Sequence, residues 1–140
     1  MMKSIPVWKQ ELSDGVHAAR LASLYCCSPA ETASEAARYT AVLDGLEKTF
    51  GSHAEAGLYS APGRTEIGGN HTDHQHGRVL AGSVNIDMIA AAAPNDKNQF
   101  RVQSEGYDLC VIDLNDLEAR KEEENTTAAL LRGECAAFTQ

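Results

Sequence analysis

Between Ser60 and Ala81 the chain reads SAPGRTEIGGNHTDHQHGRVLA, which holds three of its five histidines and four of its eleven glycines. The run from His71 to Arg78 contains no aliphatic side chain, and directly after it Val79 to Ala93 is mostly apolar. Backbone this free, dense in donors and acceptors and set between apolar segments, predicts a recognition loop held by two buried elements. The expected occupant is small and polar.

The rest of the composition narrows the classes. With 140 residues and 43% hydrophobic side chains the chain has material for one core of ordinary size. A net charge of −8 argues against nucleic acid or an anionic membrane as a general partner, since both call for a basic face. No apolar run approaches the ~20 residues needed to span a bilayer. The segment after the start, with Trp8-Lys9-Gln10-Glu11, lacks the unbroken apolar region of a signal peptide. Cys26, Cys27, Cys110 and Cys135 form no C-x-x-C pair and no disulfide framework, so reduced thiols and a cytoplasmic setting are expected.

Local signals divide the chain. Ser13-Asp14 is expected to cap a first helix running to about Tyr25. Ser28, Pro29 and Glu31 have the spacing of a capping box with proline in the first turn, and Ala33, Ala37, Thr40, Leu43, Leu46 and Phe50 follow at helical spacing up to Gly51. Leu58 to Ser60 is a candidate strand broken at Pro62-Gly63 and resumed over Thr65 to Gly68. Val79 to Val84 and Ile86 to Ala93 read as strand, the second so apolar that burial on both faces is expected. After a turn at Pro94-Asn95-Asp96 come two short strands, Gln99 to Ser104 and Asp108 to Leu114. Glu118 to Glu124 reads as a solvated linker or helix end, and Asn125-Thr126-Thr127 starts a last helix with Leu131, Cys135 and Phe138 on one side. That helix runs into Gln140 with an apolar stripe and no stop signal, which predicts that the chain is the first piece of something longer.

The loop side chains suit two chemistries. Asp73 accepts only, Asn70 both donates and accepts, and His71 does either, a mixture matched to vicinal sugar hydroxyls. Arg64, at the edge of the Pro62-Gly63 turn, carries a planar fork matched to phosphate or carboxylate. A polyol beside a phosphate is the site these residues describe. Other uses of the same residues stay open: a solvated surface loop, an Asx turn at Asp73, or an Arg64 bridge to Glu66 or Asp73. His71, Asp73, His74 and His76 also offer zinc or nickel ligands. In a strand, however, His71 and Asp73 would share one face and His74 and His76 the other, so no single metal site is expected.

The wording of the stretch is more specific than its chemistry. Pro62-Gly63-Arg64, then Gly69-Asn70-His71-Thr72-Asp73, Gly77 and Val79-Leu80-Ala81 resemble the galactokinase signature over some twenty residues. The order of elements around it is similar to the start of the superfamily of galactokinase, homoserine kinase, mevalonate kinase and phosphomevalonate kinase. This resemblance implies that Arg64 stabilises charge at the transferred phosphoryl group and sugar O1. It implies that His71 and Asp73 bond galactose hydroxyls, and that Asn70 occupies a sugar-contacting glutamate position. Asn70 keeps the hydrogen bonding and loses the charge; Glu66, His74 and Ala81 stand where the family has Asn, Tyr and Pro. The family's Gly- and Ser-rich ATP loop, the catalytic aspartate after it and the C-terminal domain do not occur in these residues.

The expectation is therefore an α+β chain: a mixed β-sheet with helices packed on one side, the N-terminal part of a GHMP-kinase-type domain. Residues 1–54 would be a helical region and 55–140 an incomplete sugar-binding domain. The parent reaction implied is phosphorylation of galactose at O1 with ATP and Mg2+, with the 140-residue chain inactive alone and binding neither. A non-catalytic galactose-binding or regulatory protein is the alternative, and a His-rich metal-binding loop the third. Exposed strand edges and the last helix's apolar face predict a chain prone to aggregate.

Overall fold

The computed structural model describes residues 2–52, 55–69 and 72–139, with Asp73 described by its backbone. It divides into two compact units, Met1–Ala93 and Pro94–Gln140.

The first unit begins with α1 (Ile5–Ser13), α2 (Ala18–Tyr25) and α3 (Thr32–Phe50). Ile5, Trp8 and Leu12 recur on one face of α1 and are buried. The single helix expected from Ser13-Asp14 onward is thus two helices, because Asp14 ends α1 instead of opening a helix. The Asp14 N–H donates to Gln10 O at 2.9 Å, the Gln10 amide holds the Asp14 carboxylate, and Gly15 turns the chain at φ 71°. The capping residues ahead of α3 are engaged, but in a separate turn. Glu31 accepts from the Ser28 N–H at 2.8 Å and from its hydroxyl at 2.7 Å, and the helix starts at Thr32. Gly51, at φ 84°, stops it as expected, its N–H donating to Glu47 O.

Strands β1 (Gly57–Gly68) and β2 (Leu80–Ala92) form an antiparallel hairpin on these helices. The core joins Ile5, Trp8, Leu12, Leu21, Tyr25, Tyr39, Leu43, Leu46 and Ala56, and Leu58, Ile89 and Ala91 of the hairpin pack against it. Backbone bonds between Lys3 and Ala56, and the Trp8 indole N–H to Ala56 O at 2.8 Å, tie α1 to the start of β1. Pairing runs from Gly57↔Ala92 to Pro62↔Asp87, breaks, resumes at Arg64↔Ser83 and ends at Gly68↔Leu80. So β1 runs through the proline and glycine without ending, and the extra residues of the irregularity, Val84 to Ile86, lie on β2 opposite Gly63.

One expectation fails on β2. Residues 86–93 are not buried on both faces: Ile86 and Met88 are 76% and 78% exposed, while Asp87 and Ile89 face the helices. Helices cover one side of an antiparallel pair here, and alanine and isoleucine tolerate either side.

In the second unit β3 (Gln99–Val102) pairs antiparallel with β4 (Cys110–Asp113), and α4 spans Thr127–Phe138. Asn95 Oδ1 accepts from the Lys97 N–H, forming the expected turn, and Thr126 caps α4 by accepting from the Ala129 N–H. The charged stretch before α4 is more than a solvated linker. Arg132 is 4% exposed, donates twice to Glu123 and once to Asp116 O, and anchors α4 through that stretch. Phe138, on the apolar stripe that was expected to lie uncovered, is 88% exposed. Among the described residues both sheets are two-stranded and antiparallel, so the chain is α+β without the mixed sheet that was expected.

Candidate functional site

The residues that the sequence singles out lie on or next to the loop joining β1 to β2. Arg64 follows the first irregularity, where Val84, Asn85 and Ile86 of β2 oppose the single residue Gly63. A side chain at Gly63 would stand 3.1 Å from Ile86 O and from Val84 Cγ2, so this close crossing favours glycine. The Arg64 side chain is 74% exposed and reaches Glu66 at 3.1 Å. That is the structural bridge the sequence left open. A pair this exposed contributes at most about 1 kcal/mol, so it leaves the guanidinium free to take an incoming anion.

The loop itself is folded around Thr72. Its hydroxyl donates to Gly69 O at 2.7 Å, and its carbonyl accepts from the N–H groups of Gln75 (3.1 Å) and Gly77 (2.7 Å). A short 3₁₀ turn, Asp73–Gln75, follows. Gly69 adopts φ 83°, and a Cβ there or at Gly77 would collide with Arg78 O or with the Thr72 side chain. The sequence reading passed over Thr72 as an organiser. Its signal was a hydroxyl flanked by glycines at both ends of a loop. Asn70, His71 and the Asp73 side chain lie outside the described residues. His74 and His76 are exposed, and among the described residues no group of three or more His, Cys, Asp or Glu is placed to hold a metal ion.

Beneath the hairpin lies a polar cluster that the sequence reading missed. The Asp87 side chain is 2% exposed and accepts from Tyr25 Oη (2.5 Å), Ser60 Oγ (2.6 Å) and Arg38 Nη2 (2.7 Å). Because the single Tyr25 proton goes to Asp87, Tyr39 donates to Tyr25 Oη across 2.8 Å. Burial pushes the Asp87 carboxyl up, but hydrogen bonds from Ser60, Tyr25 and Arg38 outweigh it and hold the group below its ordinary value. Burial and the Asp87 carboxylate push the Tyr25 hydroxyl up. Asp87 and Glu35 raise the Arg38 guanidinium. The signal was one carboxylate in an apolar strand, which if buried demands partners.

Residues 46–94 match the galactose-binding signature of galactokinases, a span that runs from the end of α3 through β1, the loop and β2. The hairpin therefore lies within the segment that is similar to the galactokinase galactose-binding signature. Curated relatives agree. The galactokinase of Lacticaseibacillus casei (strain BL23) is 35% identical over 76 residues, 54% of this chain and 19% of the relative. That of Ligilactobacillus salivarius (strain UCC118) is 34% identical over 83 residues, 57% of this chain and 21% of the relative. The galactokinase of Streptococcus suis (strain 05ZYH33) is 32% identical over 71 residues, covering 49% and 18%. The chain thus spans about a fifth of the length of the galactokinases it matches. No solved structure matches it significantly. The matched span contains Pro62-Gly63-Arg64 and His71-Thr72-Asp73, and the stem, the irregularity opposite Gly63 and the Thr72 turn lie within it. No helix among the described residues is long and apolar enough to cross a membrane.

Proposed function

We propose that the chain is the sugar-binding part of a galactokinase-like enzyme of the GHMP-kinase type. The observation that carries this reading is the coincidence of the galactose-binding signature, residues 46–94, with the hairpin and its folded loop. In the parent enzyme galactose would be phosphorylated at O1. Asn70, His71 and Asp73 would bond the sugar hydroxyls, and exposed Arg64 would leave Glu66 to stabilise the charge at O1 and the phosphoryl group.

ATP and Mg2+ are proposed for that parent alone. The sequence holds no Gly- and Ser-rich loop entering a helix. No step through either group is assigned to this chain, and it is expected to bind sugar without phosphorylating it.

The test is a galactose titration by calorimetry or ligand-observed NMR, on this chain and on Asp73→Ala. Saturable binding that the substitution abolishes is the expected result. Equal binding by both would remove Asp73 from the site, and no binding by the unmodified chain would count against a preformed sugar site. Phosphorylation of galactose by this chain given ATP and Mg2+ would overturn the inactive reading.

A further inference from the structure

Asp87 stands opposite Pro62, the last paired position before the strands lose register and resume at Arg64↔Ser83. Its carboxylate gathers donors from three other elements: Tyr25 ends α2, Arg38 lies on α3, and Ser60 precedes the bulge on β1. β2 is therefore pinned to the helices, and β1 to β2, immediately below the irregularity. Directly beyond it, the backbone at Gly63 passes close to Ile86 O and Val84. The extra residues, Val84 to Ile86, lie on β2 opposite Gly63, and a bulge of this kind re-aims side chains beside it. Arg64 is the first β1 residue paired beyond it.

We propose that Asp87 is a positioning residue: by clamping Ser60, Arg38 and Tyr25 it sets the bulge that presents Arg64 to the ligand. The inference rests on the sugar-phosphate reading of Arg64 given above. Asp87 touches no ligand in it. Its effect passes through the backbone at Pro62 and Gly63, the residues opposite and next to the clamp. A buried carboxylate serving only packing would be worth no more than an apolar residue of its size, whereas this one couples the recognition strand to two helices.

The test uses the 140-residue chain carrying Asp87→Asn, which keeps the shape, or Ser60→Ala, which removes one donor. In a 1H–15N spectrum both variants are expected to shift the Gly63 and Arg64 amides and the Arg64 Nε–H, while the Trp8 indole N–H stays in place. Gly63 and Arg64 signals unmoved in a folded variant would overturn the proposal. Should Asp87→Asn fail to fold, Ser60→Ala decides. Galactose affinity supplies the second readout through a double-mutant cycle with Arg64→Ala. Asp87→Asn is expected to weaken binding roughly tenfold alone and to add nothing once Arg64 is gone; additive losses would overturn the proposal. If the unmodified chain binds no galactose, the sugar reading fails on its own, and the spectral readout still decides the role of Asp87.

Discussion

A buried carboxylate in the run Ile86 to Ala93, otherwise made of Ile, Met and Ala, must be neutralised or paired, and Asp87 is paired three times over. The pairing gives its folded form a lowered pKa, with a definite sign for stability. Stability from a depressed carboxyl is complete above its unfolded value, about 4, and is lost as pH falls through the folded value. Tyr25 acts oppositely: its raised hydroxyl contributes below its unfolded value, about 10, and loses that contribution as pH rises beyond it. Acid titration followed by Trp8 fluorescence should therefore show a shallower loss below about pH 4 for Asp87→Asn than for the unmodified chain. Identical acid limbs would mean that the carboxylate is not the group being titrated. Arg38→Ala, which strips its guanidinium from Asp87, should cost about 1–3 kcal/mol in urea unfolding, toward the low end because Arg38 is 38% exposed.

Elements in this chain end where a small residue permits it. Gly51 closes α3 and Gly15 closes α1, each with positive φ, but only the first was expected to end a helix. Asp14 misled because a carboxylate next to Ser13 suits a helix start as well as a helix end; the Gln10 amide that binds it decides for the end. The loop obeys the same rule at higher density. Gly77 has no room for a methyl group against Thr72, so Gly77→Ala should unseat the turn and weaken galactose binding while barely moving the Tm of the hairpin and helices. An unchanged affinity would show the turn to be decorative. In α4 the Thr126 cap is an ordinary one, and Thr126→Ala should lower stability by about 1 kcal/mol as read by chemical unfolding.

At the scale of the molecule, the helices cover one side of the β1–β2 hairpin and leave Tyr59, Ile86 and Met88 exposed on the strands. An apolar strand surface of this kind promotes self-association. Light scattering against concentration should show growth for the unmodified chain and less for Ile86→Lys or Met88→Lys, with the Trp8 signal intact. Concentration-independent scattering in the unmodified chain would sink this expectation. The core on the other side behaves as a packed interior: Leu43 has 0% exposure, and Leu43→Ala should cost about 2–5 kcal/mol.

The sequence by itself determined the local grammar of the chain and the nature of its loop. The stop at Gly51, the turn at Asn95, the Thr126 cap and the galactokinase wording around Arg64 and Thr72 each depend on residues close together along the chain. Their physics is short-range: backbone torsions, and side chains within reach of neighbouring amides. What the tertiary structure alone decided is which side of each element is covered. Ile86 to Ala93 could not declare one exposed face, because apolar side chains fit both. Tyr25 and Asp87 meet across 62 positions, and Arg38 and Asp87 across 49, so no local pattern could reveal that a lone aspartate is buried and paired beneath the β1–β2 hairpin. Burial and its compensation depend on the partners that the whole fold assembles, and those partners are distant in sequence.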